Sequence, residues 1–341
     1  MCDQEVLLPE QILERLDTSV HQAQIRGKLD QDNGAEIDAA LDMLEQLILW
    51  SYDRYTNIEL EDGCEEEGEE QTYRVHPHDI VRANQICGSF LVKIVSGDWG
   101  EWQDDRVDKA ARLLAHLSGR GAAGAITRTW HFPYLDPNGN RQEHRFKLHE
   151  PSYIGNDIGF KTWGAAPLLA KKLIQQNLIP DLPNRTILEL GTGTGLVGLC
   201  CGKLGAQQVH LTDYHESVLT NVAMNVQLND PSSSCATVSK LDFIQVAQNQ
   251  DPSWEDRTFD IVIASDLLYE MEHAEYLPVA VEKLMENVFY FMIPLRPTHW
   301  DEVDLFERRM TQVGLVKRQV SEIECEEEEG IVRYRYYEYT R

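Results

Sequence analysis

Apolar residues over the first 118 positions recur at helical spacing. Ile37, Leu41, Leu44, Leu47 and Ile48 share one helical face, and Val107, Ala110, Ala111, Leu114 and Leu117 make another; Ile80, Ala83, Ile86, Phe90 and Val92 follow the period less cleanly. Small residues and glycine at 118–124 break this pattern and predict a hinge. The period then changes to two over 125–135 and 141–150, and Asp136-Pro137-Asn138-Gly139-Asn140 between these runs reverses the chain, which predicts a β-hairpin. Beyond residue 180 short apolar strands alternate with helical patterns: strands at 186–190, 209–212 and 259–264, helices reaching 204 and spanning 217–228, a fifth strand at 288–293, and a closing antiparallel pair, 315–320 with 331–339. Strands with no polar face, separated by helices, imply a parallel sheet covered on both sides. The expectation is an α/β fold with a helical accessory domain at 1–120, a β-hairpin bridge at 121–150 and a seven-strand Rossmann-like domain at 151–341.

The chemistry-bearing residues cluster at the strand ends of that last domain. Thr186-Ile187-Leu188-Glu189-Leu190 runs into Gly191-Thr192-Gly193-Thr194-Gly195 and then into a helix at Leu196. Glycines at the carboxyl end of the first strand let the backbone approach a ligand closely. A dinucleotide site calls for Gly-x-Gly-x-x-Gly, but Leu196 stands where the third glycine belongs. The spacing matches instead the loop that binds S-adenosyl-L-methionine, which seats no pyrophosphate.

Asp213 ends the next apolar run, 22 residues beyond Gly191, the distance at which a carboxylate accepts both ribose hydroxyls. The competing reading is a cap for the helix that starts near His215. Glu189, on an apolar strand, must find donors among the loop amides or the ligand's ammonium, or stay protonated. In Leu241-Asp242-Phe243 the acid and the aromatic are placed for the adenine amino group and ring, with Phe243 reading equally well as core packing. The strand at 259–264 leads into Ser265-Asp266-Leu267-Leu268-Tyr269, and its carboxyl end lies beside that of the first strand. Asp266 and Tyr269 are therefore expected to face the transferred methyl group, although a strand end satisfied by loop amides would look the same. An acid and a phenol suit an amine acceptor, because a carboxylate orients the amine while burial favours its neutral form.

Composition narrows the acceptor. The net charge of −26 repels a phosphate backbone and argues against nucleic acid. Two acidic runs, eight carboxylates at 59–70 and six at 322–329, supply about half of that charge and read as solvated loops or as an attraction for a basic protein partner. No stretch approaches the ~18 apolar residues of a membrane span, and the start lacks a basic, apolar leader, so a cytoplasmic, membrane-free protein is expected. Seven cysteines without a Cys-x-x-Cys pair argue against disulfides and a zinc ribbon, with Cys200 and Cys201 reading as packed small residues. His76, His78, His131, His144 and His149 lack a ligand pattern, so no metal is expected.

Four motifs together resemble methyltransferase family 16, the seven-strand lysine methyltransferases: Gly159-Phe160-Lys161-Thr162-Trp163-Gly164-Ala165-Ala166, Glu189 to Gly195, Leu241-Asp242-Phe243, and Asp266-Leu267-Leu268-Tyr269. The likeness covers about 150–341 and departs from the family at Phe243, where tryptophan is usual. It implies that Trp163, the Gly191–Gly193 turn, Asp213, Phe243 and Ser265 contact S-adenosyl-L-methionine while Asp266 and Tyr269 stand at the acceptor lysine. His149-Glu150-Pro151-Ser152 and the segment from Asp157 to Gly164 also resemble fungal members acting on translation elongation factors, elongation factor 2 above all. Transfer to a small amine such as nicotinamide and a non-catalytic acidic adaptor are the readings that compete. Asp266-Leu267-Leu268-Tyr269 differs from the Asn/Asp-Pro-Pro-Tyr/Phe signature of base and glutamine methylation, and the glycine turn and Asp213 are intact.

Overall fold

The computed structural model describes residues 8–25, 34–60, 75, 77–97, 104–119, 122, 124–153, 159, 161–229, 235–327 and 330–341. The chain divides into two compact units. In the first, α1 (Pro9–Ile25), α2 (Gly34–Thr56), α3 (Pro77–Ser96) and α4 (Asp104–Leu117) bury Leu16, Leu41, Leu44, Ala83, Phe90, Leu91, Ile94 and Leu113 in one core. Arg106 to Asp38 and Lys109 to Asp42 and Glu45 tie α4 to α2. Two residues of the predicted stripes are corrected: Val92 and Ala111 are exposed, because on α3 the buried stripe runs 83, 87, 90, 91, 94 and on α4 it runs 110, 113, 117.

The first strands of the second unit form the hairpin, β1 (Ile126–Leu135) and β2 (Arg141–Glu150). The Asp136 carboxylate accepts from the amides of Asn138 (2.8 Å) and Asn140 (2.9 Å) and so closes the turn. Next come α5 (Ala165–Gln175), β3 (Thr186–Leu190), α6 (Leu196–Lys203), β4 (Gln208–Asp213), α7 (Glu216–Asn229), β5 (Ala236–Lys240) and α8 (Phe243–Ala247). The chain ends with β6 (Phe259–Ser265), α9 (Met271–Leu284), β7 (Met285–Pro294), α10 (Trp300–Gln312), β8 (Val316–Glu327) and β9 (Gly330–Thr340).

The seven strands β3–β9 lie in the order β5-β4-β3-β6-β7-β9-β8; β3–β7 are parallel, and β9 runs antiparallel to both its neighbours. Alternate residues of each strand enter opposite cores, which is why the strands read as unbroken apolar runs. Ile187, Leu211 and Ile263 pack with α5, α6, α7 and the hairpin residues Phe132, Phe146 and Leu148. Leu188, Leu190, Val262 and Phe291 pack with α8, α9 and α10. Chain direction across the sheet reverses at β3, where β4 follows on one side and β6 on the other, and such switch points open a crevice at the carboxyl ends.

The closing strand pair is longer than its apolar core suggested. The second acidic run is not a loop where it is described: Glu322 to Glu327 lie on β8. The physical reason is on the facing strand, where Arg335 opposes Glu322 (2.6 Å) and Arg333 opposes Glu324 (3.0 Å). Residues 61–70 of the first acidic run, His76, parts of the hinge at 118–124 and residues 154–158 and 160 lie outside the described residues.

Candidate active site

The glycine loop is held from below by the strand that feeds it. Glu189 is buried on the α6 side of the sheet, and its Oε2 accepts from the Thr192 hydroxyl (2.5 Å) and from the Gly198 amide (3.1 Å). Burial pushes its carboxyl up to about 8 against those two hydrogen bonds, and the charge of Asp213 adds to the rise. Two further bonds join the loop region to β4: the Thr192 amide donates to the Thr212 carbonyl (2.9 Å) and the Thr212 hydroxyl to the Glu189 carbonyl (2.6 Å). Gly191 adopts φ +61°, and a Cβ there would strike Leu267. Gly193, at φ +55°, has nothing within 4 Å of a Cβ position, so its side of the loop is open for a ligand.

Asp213 stands at the end of β4, buried, with Oδ1 accepting from the His215 amide (3.1 Å) and Oδ2 lying 3.5 Å from the Gly193 amide. The contact with His215 stabilises the turn into α7, as the capping reading expects, while the other oxygen lies toward the glycine loop. Burial raises its carboxyl, and the amides of His215, Gly193 and Tyr214 oppose the rise.

A polar ladder positions this end from outside the sheet. Asn221, Asn225 and Asn229 lie one turn apart on α7; Asn225 donates to the carbonyls of Thr194 (2.9 Å) and His149 (3.1 Å) and accepts from the His149 amide (2.7 Å). Asn221 and Asn229 clip the same hairpin strand at His149 and Lys147. Glu150 at the end of β2 accepts from the Thr162 amide (2.9 Å), and the Thr162 hydroxyl pairs with that of Thr194 (2.8 Å). The segment carrying Trp163 is thereby joined to the glycine loop.

The triplet after β5 divides. Asp242 caps α8, accepting from the amides of Ile244 (2.9 Å) and Gln245 (3.4 Å). Phe243 is buried in the core of α8–α10, where its ring meets His273 edge-on at 5.5 Å, and His273 meets Tyr269 edge-on at 4.4 Å. Burial pushes the Tyr269 phenol up to about 12, with Tyr214, Asp213, Glu270 and Asp266 adding to the rise. Tyr269 thus feels both the β4 acid and the β6 acid.

At the end of β6, Ser265 pairs with Met292 of β7, and Asp266 turns into the left-handed region at φ +56°. That conformation costs a non-glycine residue energy, and such residues cluster at functional sites. Its amide donates to the Met292 carbonyl (2.9 Å), and its side chain, 10% exposed, lies 3.5 Å from the Arg296 guanidinium. Burial holds the carboxyl up to about 6; Arg296 and Lys161 lower it and Glu327 raises it. Lys161 Nζ lies 4.3 Å from the centre of the Trp163 ring and the Arg296 guanidinium 5.7 Å.

Ten of the twelve candidate residues therefore line or build one continuous edge, from Gly191, Thr192, Gly193 and Gly195 past Asp213, Phe243, Tyr269, Ser265 and Asp266 to Trp163. Glu189 and Asp242 sit behind it, with their carboxylates engaged by the chain itself. Lys161, Arg296, Glu150, Thr194 and the asparagine ladder were missed. Lys161, Glu150 and Thr194 stood inside the sequence motifs without being assigned a role, and the ladder is a polar stripe at helical spacing on α7.

A doubly wound sheet with an open glycine loop at its switch point and an acid ending the neighbouring strand defines an S-adenosylmethionine-dependent methyltransferase. The lysine methyltransferase family matches residues 140–311. The protein-lysine N-methyltransferase rrg1 of Schizosaccharomyces pombe is 36% identical over 72% of this chain and 81% of its own length. The protein-lysine N-methyltransferase EFM2 of Saccharomyces cerevisiae is 26% identical over 67% of this chain and 57% of its own. The mouse protein-lysine N-methyltransferase EEF2KMT is 35% identical over 46% of this chain and 48% of its own. The chain belongs to the lysine methyltransferase family.

Proposed function

We propose that the chain methylates a lysine of a translation elongation factor in the cytoplasm, elongation factor 2 foremost. The observation carrying the lysine chemistry is the buried Asp266 carboxylate at the β6 end, with a Tyr269 phenol that feels the charges of both it and Asp213. The choice of elongation factor is supported by the sequence around 149–164 and by the name of the EEF2KMT relative. The described residues fit S-adenosylmethionine: Gly193 leaves room beside the loop and the Asp213 carboxylate faces it. Bound there, the cofactor supplies a methyl group on a positive sulfur, which a neutral amine attacks in line.

The chain's residues do the rest. Asp213 would accept from the ribose hydroxyls, the Gly191 to Gly193 turn would seat the cofactor, and Trp163, Phe243 and Ser265 would enclose it. Glu189 and Asp242 act through the loop and the α8 cap that they hold. A lysine at pH 7.4 is neutral in roughly one molecule per thousand, so it must lose its proton before transfer. A carboxylate of pKa about 6 takes a proton from an amine of ordinary pKa ~10.4 only against about 6 kcal/mol. Asp266 therefore acts chiefly by orienting the amine, with burial and the loss of the proton to solvent supplying the neutral form. Tyr269, neutral below about 12, offers the amine a hydrogen-bond partner. The test is incubation of the chain with labelled S-adenosylmethionine and purified elongation factor 2. A labelled, mapped lysine is expected, and label on a small amine but never on protein would overturn the reading. Along the described residues no helix is long and apolar enough to cross a membrane.

A further inference from the structure

The acid run of β8 does not treat all its members alike. Glu322 and Glu324 meet Arg335 and Arg333 across the strand pair, whereas Glu327, the last described residue of β8, opposes Gly330 and has no ion pair among the described residues. Its Oε1 instead accepts from the hydroxyl of Tyr334, whose residue is buried in the core beside α5. Glu327 and Tyr334 together stand where a Cβ of residue 164 would be, which is why glycine follows Trp163. Trp163 in turn carries Lys161 and Arg296 over its ring, and Arg296 reaches Asp266. Lys161 and Arg296 thus lie over one tryptophan, with Asp266 beside Arg296 and Glu327 beside the neighbouring Gly164.

We infer that Glu327 is a second acceptor-side carboxylate, which with Asp266 receives the ammonium end of the lysine in place of the resident cations Lys161 and Arg296. The inference rests on the reading of Asp266 as the acceptor-side acid. A half-buried carboxylate that holds one hydroxyl donor and no cation has given up hydration that an arriving ammonium would replace. The Tyr334 hydroxyl holds one oxygen of Glu327 and leaves the other for the incoming ammonium. Glu327 also acts on its neighbour: burial holds the Asp266 carboxyl near 6, Arg296 and Lys161 pull it down, and the Glu327 charge pushes it up. Tyr269 and Tyr334, the remaining titratable groups around it, stay neutral over this range, both raised by burial first.

The test uses the full chain saturated with S-adenosylhomocysteine and n-butylammonium as the probe for a lysine side chain. Glu327→Gln is expected to weaken n-butylammonium about tenfold, as loss of a charge-assisted hydrogen bond does, with S-adenosylhomocysteine affinity within twofold of wild type. Arg296→Gln is expected to strengthen it by removing a competing cation. Carbon-13 titration of the Asp266 carboxyl supplies a second readout: its pKa falls in Glu327→Gln and rises in Arg296→Gln, whereas loosening of the fold would move both alike. Unchanged probe affinity in Glu327→Gln, with weakening in Asp266→Asn, overturns the role of Glu327 and leaves Asp266 in place. Unchanged affinity in both overturns the acceptor-side reading together with this inference.

Discussion

The two ends of the sheet's carboxyl edge are made of different materials. Around β3 and β4 the loop is held by amides, carbonyls and hydroxyls, and the acids there, Glu189 and Asp213, are buried and already engaged by backbone donors. Around β6, β7 and β8 the same edge is lined by Asp266, Arg296, Lys161 and Glu327, and the aromatic Trp163 serves the cations as a platform. On the proposed reading, a cofactor with a fixed outline is matched by a rigid backbone loop and one carboxylate, whereas a lysine arriving on a protein needs charges that can exchange one cation for another.

The most damaging way to break the comparison is at Asp266. Asp266→Ala is expected to lower single-turnover methylation about a hundredfold or more through lost orientation, while cofactor affinity stays within a few-fold of wild type. The pH profile sharpens this. The carboxyl ionises only above about 6, so wild-type activity, which already declines with falling pH because the lysine must be neutral, should fall more steeply below about 6, and that added steepness should vanish in the variant. Equal loss of cofactor binding would mean that the two ends are not separable. At the other end, Asp213→Ala is expected to weaken S-adenosylhomocysteine by about 1–3 kcal/mol by calorimetry, the worth of charge-assisted hydrogen bonds to ribose. Unaltered affinity would remove Asp213 from the cofactor site.

The cofactor end was legible in the sequence because its signals are local. Gly191 to Gly195 follow directly on an apolar strand, and the distance to Asp213 is fixed by one helix and one strand. The acceptor end was half legible. Asp266 and Tyr269 follow a central strand, but Arg296 is brought to Asp266 from 30 residues away and Glu150 reaches Thr162 where the hairpin packs on α7. The extent of β8 was hidden for a similar reason: a run of glutamates looks like a solvated loop until Arg333 and Arg335 are seen on the strand opposite. Long-range charge partners leave no mark on the periodicity of either segment alone.

Glu189 offers a stability measurement confined to the cofactor end. Its folded carboxyl sits at about 8 against an ordinary 4.5, so between those values the unfolded chain has released a proton that the folded chain keeps. Stability therefore falls as pH rises from about 4.5 to about 8, with a slope of at most about 1.4 kcal/mol per pH unit from this group. Glu189→Gln removes the titration, and denaturant melts of the variant should show a flatter pH dependence over that window. An unchanged slope would show that the carboxyl is not held protonated beneath the loop.

The smallest effect is the one that tests the comparison as a whole, and it needs no substitution. S-adenosylhomocysteine carries no net charge, and the groups expected to hold it are backbone amides and one carboxylate that accepts from neutral hydroxyls. Salt screens charges over a Debye length that shrinks from about 14 Å at 0.05 M to about 6 Å at 0.3 M, but it leaves short neutral hydrogen bonds nearly untouched. Cofactor affinity should therefore change by less than about twofold across that range. The acceptor meets charged groups at the site and a chain of net charge −26 around it, so KM for intact elongation factor 2 should rise several-fold over the same range. A lysine mimic without the protein's basic surface should show only the part of the rise that arises at Asp266 and its neighbours. Parallel salt dependence of the cofactor and the protein substrate would show that one field governs both ends, and the division between a neutral and a charged end would fail.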